Sequence, residues 1–230
     1  MRRPVYMISR LIAKLIYSLL GTVRVFHPER SATPGPWILA ANHISHFDPP
    51  LISVASLRMI DWMAMKDLFS HPAVISYFNI IGTFPTDRDN VDRASVKTTL
   101  NRLKIGRVVG MFPEGGIRAG STSVLEGAPM HPGSGAMAQM ANVPIIPCVV
   151  LGTDRLYNQK NWRPFGRTPF WVGFGELIHP PTGLGKTEAR AFLERELAAA
   201  FPSLLAEMRT YFSLTDDDIP KTPGERRLQS

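Results

Sequence analysis

Short apolar runs alternate with helix-length stretches from residue 37 to residue 174, and this alternation limits the fold more than any other feature of the chain. Segments 37–41, 59–65, 81–85, 108–112, 143–151 and 170–174 read as strands. Several are nearly continuous in Val, Ile, Leu, Phe or Trp, as strands covered on both faces are. Between them, 51–57, 72–80 and 91–103 read as helices; in the last, Val96, Leu100 and Leu103 recur at helical spacing. The pattern predicts an α/β domain with a mixed, largely parallel sheet flanked by helices. A further helix is expected over 186–213, broken at Pro202, because proline removes a backbone donor and crowds the preceding turn. Residues 215–230, with Asp216, Asp217, Asp218, two prolines and few apolar groups, are expected to be a mobile tail.

At 230 residues and 44% hydrophobic, the chain can bury one core of ordinary size, and wholesale disorder is excluded. A lone cysteine, Cys148, excludes an internal disulfide and a four-cysteine zinc module and points to a reducing compartment; within the run 145–151 it reads as a buried filler. The net charge is +7, and five of the cations (Arg2, Arg3, Arg10, Lys14 and Arg24) stand in the first 24 residues, where there is no acid. A nucleic-acid reader would spread its charge over a recognition face, so no nucleic-acid partner is expected.

The same arm is strongly apolar. On a helix over 4–20, Val5, Ile8, Ile12, Leu15, Ile16 and Leu19 share one face, and Arg3, Arg10, Lys14 and Ser18 share the other, with Met7 on the polar side. Such a helix would be about 26 Å long, with two cations inside it. That suits a helix lying in the headgroup layer better than one crossing the bilayer, and no small-residue cleavage pattern marks a removable leader. The bland alternative is a helix that only docks on the domain. The expected organisation is a membrane-associating amphipathic arm over 1–24, a catalytic domain over 25–214 and the tail over 215–230. The expected location is the cytoplasmic side of a membrane, peripheral or monotopic.

Three segments that leave strand ends carry candidate chemistry. After 37–41 come Asn42, His43, Ile44, Ser45, His46, Phe47 and Asp48, followed by two prolines. The C-terminal ends of parallel strands are where open α/β sheets place their sites. Asp48 has the look of a helix N-cap, and a tight turn could bring its carboxylate against the His43 imidazole to fix its tautomer. On these two residues alone, an ordinary loop histidine and a plain cap are equally good readings. Phe112, Pro113, Glu114, Gly115 and Gly116 follow 108–112, where glycines let backbone N–H groups approach a ligand. Gly82, Phe84 and Arg88 follow the third segment, and a guanidinium there suits a phosphate; taken singly, Glu114 and Arg88 also read as surface charges.

Taken together, these segments resemble the glycerolipid acyltransferases, which acylate lysophosphatidic acid and related lysophospholipids. The family's Asn-His-x4-Asp block matches Asn42, His43 and Asp48, with Ser45 at a favoured position. Its Gly-x-Phe-x-x-x-Arg block matches Gly82, Phe84 and Arg88, and Phe-Pro-Glu-Gly is complete in Phe112 to Gly115. Val-Pro-x-x-Pro matches Val143, Pro144 and Pro147, so the resemblance covers roughly residues 35–155. Many members continue Phe-Pro-Glu-Gly with Thr-Arg; here Gly116 and Ile117 stand there and the arginine comes at Arg118, which is given no role.

The resemblance implies an O-acyltransferase that moves a fatty acyl group from acyl-CoA or acyl carrier protein, a co-substrate, to the free hydroxyl of a lysophospholipid, with no cofactor and no metal. The expected acceptor is 1-acyl-glycerol-3-phosphate and the product phosphatidic acid. His43 is implied as general base and Asp48 as its orienting partner, with Gly82, Phe84, Arg88, Glu114 and Gly115 on the substrate side. Because a carboxylate repels phosphate, Glu114 is expected to meet a cation or a glycerol hydroxyl. A base must be neutral to accept a proton, so activity is expected to fall on acidification. The rival chemistry is a metal-dependent hydrolase with His43, His46 and Asp48 as ligands, whose spacing differs from the His-x-His-x-Asp-His pattern of such enzymes. The other rival is a non-catalytic lipid-binding protein on the same fold. No Gly-x-Ser-x-Gly occurs, so a serine hydrolase has no nucleophile elbow.

Overall fold

The computed structural model describes residues 2–87 and 93–228. Helix α1 (Arg2–Leu20) leads directly into β1 (Gly21–Phe26). There follow β2 (Trp37–Ala41), α2 (Asp48–Ala55), β3 (Ile60–Met65), α3 (Pro72–Ile81), β4 (Phe84–Thr86), α4 (Arg93–Lys104) and β5 (Val108–Met111). The chain closes with α5 (Gly133–Ala141), β6 (Ile145–Leu151), β7 (Thr168–Phe174), α6 (Lys186–Phe212) and α7 (Pro223–Leu228). The strands form one sheet in the order β1-β7-β6-β2-β5-β3-β4. Every pairing is parallel except β6 with β7, which is the mixed, largely parallel sheet expected.

Alternation along the strands divides the core into two layers. In β2, Ile38 and Ala40 face one layer, with α5 and α6; Trp37, Leu39 and Ala41 face the other, with α1 and α2. On α6, Leu193, Leu197, Phe201, Leu204 and Met208 are buried at spacings of three and four. The break expected at Pro202 is absent, and α6 runs unbroken from Lys186 to Phe212. Proline in a helix interior costs about 3 kcal/mol, while burying side chains such as Phe201 and Leu204 on either side of it returns about 1.5–3 kcal/mol each.

Two other expectations meet a different structure. The arm boundary at residue 24 falls inside β1, whose parallel ladder with β7 runs from Gly21–Thr168 to Phe26–Gly173. A six-residue edge strand with Arg24 in its middle has little apolar signal of its own, so only its partner reveals it. The expected mobile tail is docked: Arg226 is buried, its Nε donating to Asp154 Oδ2 at 2.6 Å, and the Lys221 N–H donates to the same oxygen at 3.0 Å. Arg155 donates to Asp218 Oδ1 at 2.8 Å. Ion pairs, with Ile219 packed against the core and Pro220 buried, hold this segment, and composition alone does not register them.

Candidate functional site

Because β2, β3, β4, β5 and β6 are parallel, their C-terminal ends share one edge of the sheet. Two central strands, β2 and β5, send His43 and Glu114 to that edge. Asn42 holds the end of β2 in place: its side chain donates to the Val150 carbonyl at 3.0 Å and accepts from the Val150 N–H at 2.7 Å, copying a strand pairing with β6.

The turn after Asn42 wraps around one carboxylate. Asp48 Oδ2 lies 2.8 Å from His43 Nδ1 and accepts from the Ile44 N–H at 2.8 Å and the Ser45 N–H at 2.9 Å. The other oxygen accepts from the hydroxyl of Thr153, which follows β6. Asp48 is the first residue of α2, with Phe47 at the cap position, so the expected N-cap role is not what it performs. Its carboxylate turns back toward the preceding residues, while Ser45 Oγ accepts from the Phe47 N–H at 3.1 Å. A carboxylate can only accept, so Nδ1 carries the proton of the neutral ring and Nε2 carries the lone pair.

The structure turns the Glu114 carboxylate toward the chain. It is buried, and Oε2 accepts from the backbone N–H of His43 while Oε1 accepts from Ser123 Oγ at 2.7 Å and the Val124 N–H at 2.9 Å. With both oxygens engaged by the chain, it braces the backbone that carries His43. Burial pushes its carboxyl above the ordinary glutamate value, against the pull of these donors. The His43 carbonyl accepts from the Arg118 N–H at 2.8 Å, so the histidine is held at its N–H, its carbonyl and its ring. The imidazole also stacks on Phe112 at 4.1 Å between centroids, and Phe112 stacks on Trp62 at 5.1 Å.

A cavity of about 630 Å³ opens beside this imidazole. Its wall is largely apolar, including Ile12 and Ile16 of α1, Trp62 and Met63 of β3, and Phe78 of α3. Helix α1 is tied to the site through Tyr17, whose hydroxyl donates to the Phe47 carbonyl at 2.6 Å. Burial, and then the charge of Asp48, pushes that phenol well above its ordinary value. The opposite side of α1 leaves Met7, Ile8, Leu11, Ile12, Leu15, Ile16 and Leu19 exposed. Among the described residues, no helix is long and apolar enough to cross a membrane.

The remaining expected positions are dispersed. Gly82 caps α3 in the left-handed region (φ 92), where a Cβ would be strained, and its N–H donates to the Phe78 carbonyl. Phe84 lies in the core layer with α5 and α6, under the Arg102 guanidinium, and does not line the cavity. Arg88 lies outside the described residues. Gly115 is also left-handed (φ 67), and a Cβ there would come within 2.6 Å of the His131 ring, so glycine is needed for the turn itself. His46 lines the cavity, with its ring 6.4 Å from that of Tyr157. Asp48, already accepting four hydrogen bonds, has little capacity left to ligate a metal, and no group of three or more His, Cys, Asp or Glu among the described residues is placed to hold one. Cys148 is fully buried, and burial raises its thiol.

Sequence reasoning missed Thr153, Ser123, Phe112 as a stacking partner, and Tyr17. Thr153 and Phe112 carried a signal: each follows a parallel strand, as His43 does.

The family described as Acyltransferase has a model that matches residues 22–151. The chain is 34% identical over 140 residues to the 1-acyl-sn-glycerol-3-phosphate acyltransferase of Bacillus subtilis, covering 60% of this chain and 67% of that protein. It is 29% identical over 145 residues to the protein of that name from Streptococcus pneumoniae, spanning 62% of this chain and about half (52%) of that one. The solved structure of the 1-acyl-sn-glycerophosphate acyltransferase from Thermotoga maritima matches with a TM-score of 0.68 at 22% identity, over 89% of this chain and 81% of that chain, and shows the same fold.

Proposed function

The chain belongs to the acyltransferase family, and from that premise we propose that it transfers a fatty acyl group from a thioester, acyl-CoA or acyl carrier protein, to the free hydroxyl of 1-acyl-glycerol-3-phosphate, giving phosphatidic acid. The observation that carries the reading is the His43–Asp48 pair, buried at the mouth of an apolar cavity. His43 Nε2 takes the hydroxyl proton as the oxygen attacks the thioester carbonyl carbon. The tetrahedral intermediate then expels the thiolate, the C–S bond breaks, and the imidazolium returns its proton to sulfur. Asp48 fixes the reactive tautomer and stabilises the imidazolium while it exists. No covalent enzyme intermediate is required, since the thioester is already activated.

The cavity walls supply what an acyl chain needs and a head group does not: aliphatic and aromatic surface with few polar groups. That α1 contributes to this wall while exposing its own apolar stripe supports a helix lying flat in a membrane interface, proposed here as the cytoplasmic side, so that the lipid reaches the base without leaving the bilayer. The resemblances in the names of relatives support the acceptor chosen. The test is to incubate purified protein with a panel of lysolipids and either labelled acyl-CoA or acyl carrier protein, and to identify products by mass spectrometry. Phosphatidic acid from wild type, and none from His43→Ala, is expected. Acylation of a different lysolipid alone overturns the acceptor, and full activity of His43→Ala overturns the mechanism.

A further inference from the structure

A second cleft, of about 750 Å³, lies between β7, the segment after β6 and the C-terminal segment. Arg155, Lys160, Arg163, Arg167, Lys221 and Arg226 line it, against a single acid, Asp217. Arg226 and Arg155 are engaged by Asp154 and Asp218. By contrast, no salt bridge among the described residues holds Lys160, Arg163 or Arg167, and all three are exposed. Three unpaired cations around one cleft repel each other and match an anion.

Between two of them stands Phe165. It is 86% exposed, and its φ of 62° is a conformation that a bulky side chain rarely adopts. The loop holding it is not loose. The Trp162 indole donates to the Leu156 carbonyl at 2.8 Å and packs edge-on against Phe47, and Asn161 donates to the Arg155 carbonyl at 2.8 Å. The Gly166 N–H donates to the Leu19 carbonyl at 3.1 Å, fastening the loop to the end of α1 beside its exposed apolar stripe. Chain strain and fixed hydrogen bonds therefore present an aromatic ring to the outside, flanked by cations and continuous with α1. An aromatic body with cations beside it is the composition that settles at the level of lipid head groups. A soluble phosphate compound would account for the cations but leave Phe165 uncovered.

We propose that the loop 158–168 is a second lipid contact, in which Phe165 enters the surface of an anionic bilayer while Lys160, Arg163 and Arg167 bind a lipid phosphate in the cleft. The proposal rests on the reading of α1 as a helix lying on a membrane, and the two can be separated by experiment. Co-sedimentation of the full chain is measured with vesicles of phosphatidylglycerol and phosphatidylcholine, and with phosphatidylcholine alone, at several salt concentrations. Phe165→Ser is expected to weaken binding to both vesicle types about tenfold. Arg163→Gln combined with Arg167→Gln is expected to weaken binding to the anionic vesicles by roughly fivefold per cation and to flatten its salt dependence. Neither change should alter the unfolding midpoint or turnover in detergent micelles. Unchanged vesicle binding in both variants overturns the proposal, as does absence of binding by the wild type. A higher KM for acyl-CoA in micelles, with vesicle binding unchanged, would assign the cleft to the donor's phosphates and overturn it too. Leu11→Asp with Leu15→Asp reports on α1 alone: full vesicle binding by that variant overturns the α1 reading, whatever the loop variants show.

Discussion

The turn from Asn42 to Asp48 buries polar groups that ordinarily face water, whereas α1 exposes apolar groups that ordinarily face a core. In the turn, the Asp48 carboxylate accepts four hydrogen bonds and the His43 backbone is held by Glu114 and Arg118, so burial is matched by partners inside the chain. Along α1, Leu11 is 67% exposed, and Met7, Ile8, Leu15 and Leu19 beside it are exposed too, while Ile12 and Ile16 at the edge of the stripe turn toward the cavity. One inversion is closed and holds the His43 ring in a fixed, hydrogen-bonded setting. The other is open: its apolar side chains stand exposed, as the proposed interfacial helix requires. Buried polarity that is fully satisfied signals chemistry; exposed apolarity on a docked helix signals a surface to be covered.

The largest effect should come from emptying the closed region. His43→Ala is expected to lower kcat by at least ~10²–10⁴, with vesicle binding retained, read from initial rates and sedimentation on the same preparation. Removing one donor to Asp48 tests preorganisation more gently. Thr153→Val should reduce kcat about tenfold at constant KM, and Thr153→Ser should restore it. A loss shared equally by both variants would mean that Thr153 matters only for packing.

Glu114 offers a smaller, stability-based test. Replacing it with Gln puts a donor among three donors and should cost about 1–3 kcal/mol in urea unfolding. Its carboxyl is raised by burial, so the folded state holds the proton more tightly than the unfolded state. That contribution is fully present below the ordinary glutamate value and is lost as pH rises through the folded value. The Gln variant should therefore lack this part of the decline in stability with rising pH. The smallest effect on the fold belongs to the open region. Leu11→Ser with Leu15→Ser should change stability by no more than ~0.5 kcal/mol and leave micellar turnover intact, while vesicle binding falls. A large loss of stability would show that α1's stripe is covered by the protein itself.

Much of this was legible in one dimension. The strand 37–41 and the helix over 72–80 lie where the alternation of apolar runs and helical stretches put them, and the His43–Asp48 spacing suggested the contact that the structure shows. The misses share a cause. β1 is visible only through β7, α6 passes Pro202 because the sheet holds both sides of it, and the C-terminal segment is fastened by ion pairs to residues some 60–70 positions earlier. Glu114 and Phe84 occur in motif blocks yet face the chain rather than the cavity.

The sequence by itself determined the α/β class, the apolar stripe of α1 and the local turn that can close His43 onto Asp48, because each depends on residues a few positions apart and on the period of an element. Only the tertiary structure decided what Glu114, Thr153 and Phe112 do, where the cavity runs and that two clefts share one molecule. Those outcomes depend on which strand ends lie side by side, and hydrogen bonds over separations of 71 and 105 residues leave no periodic trace in the chain.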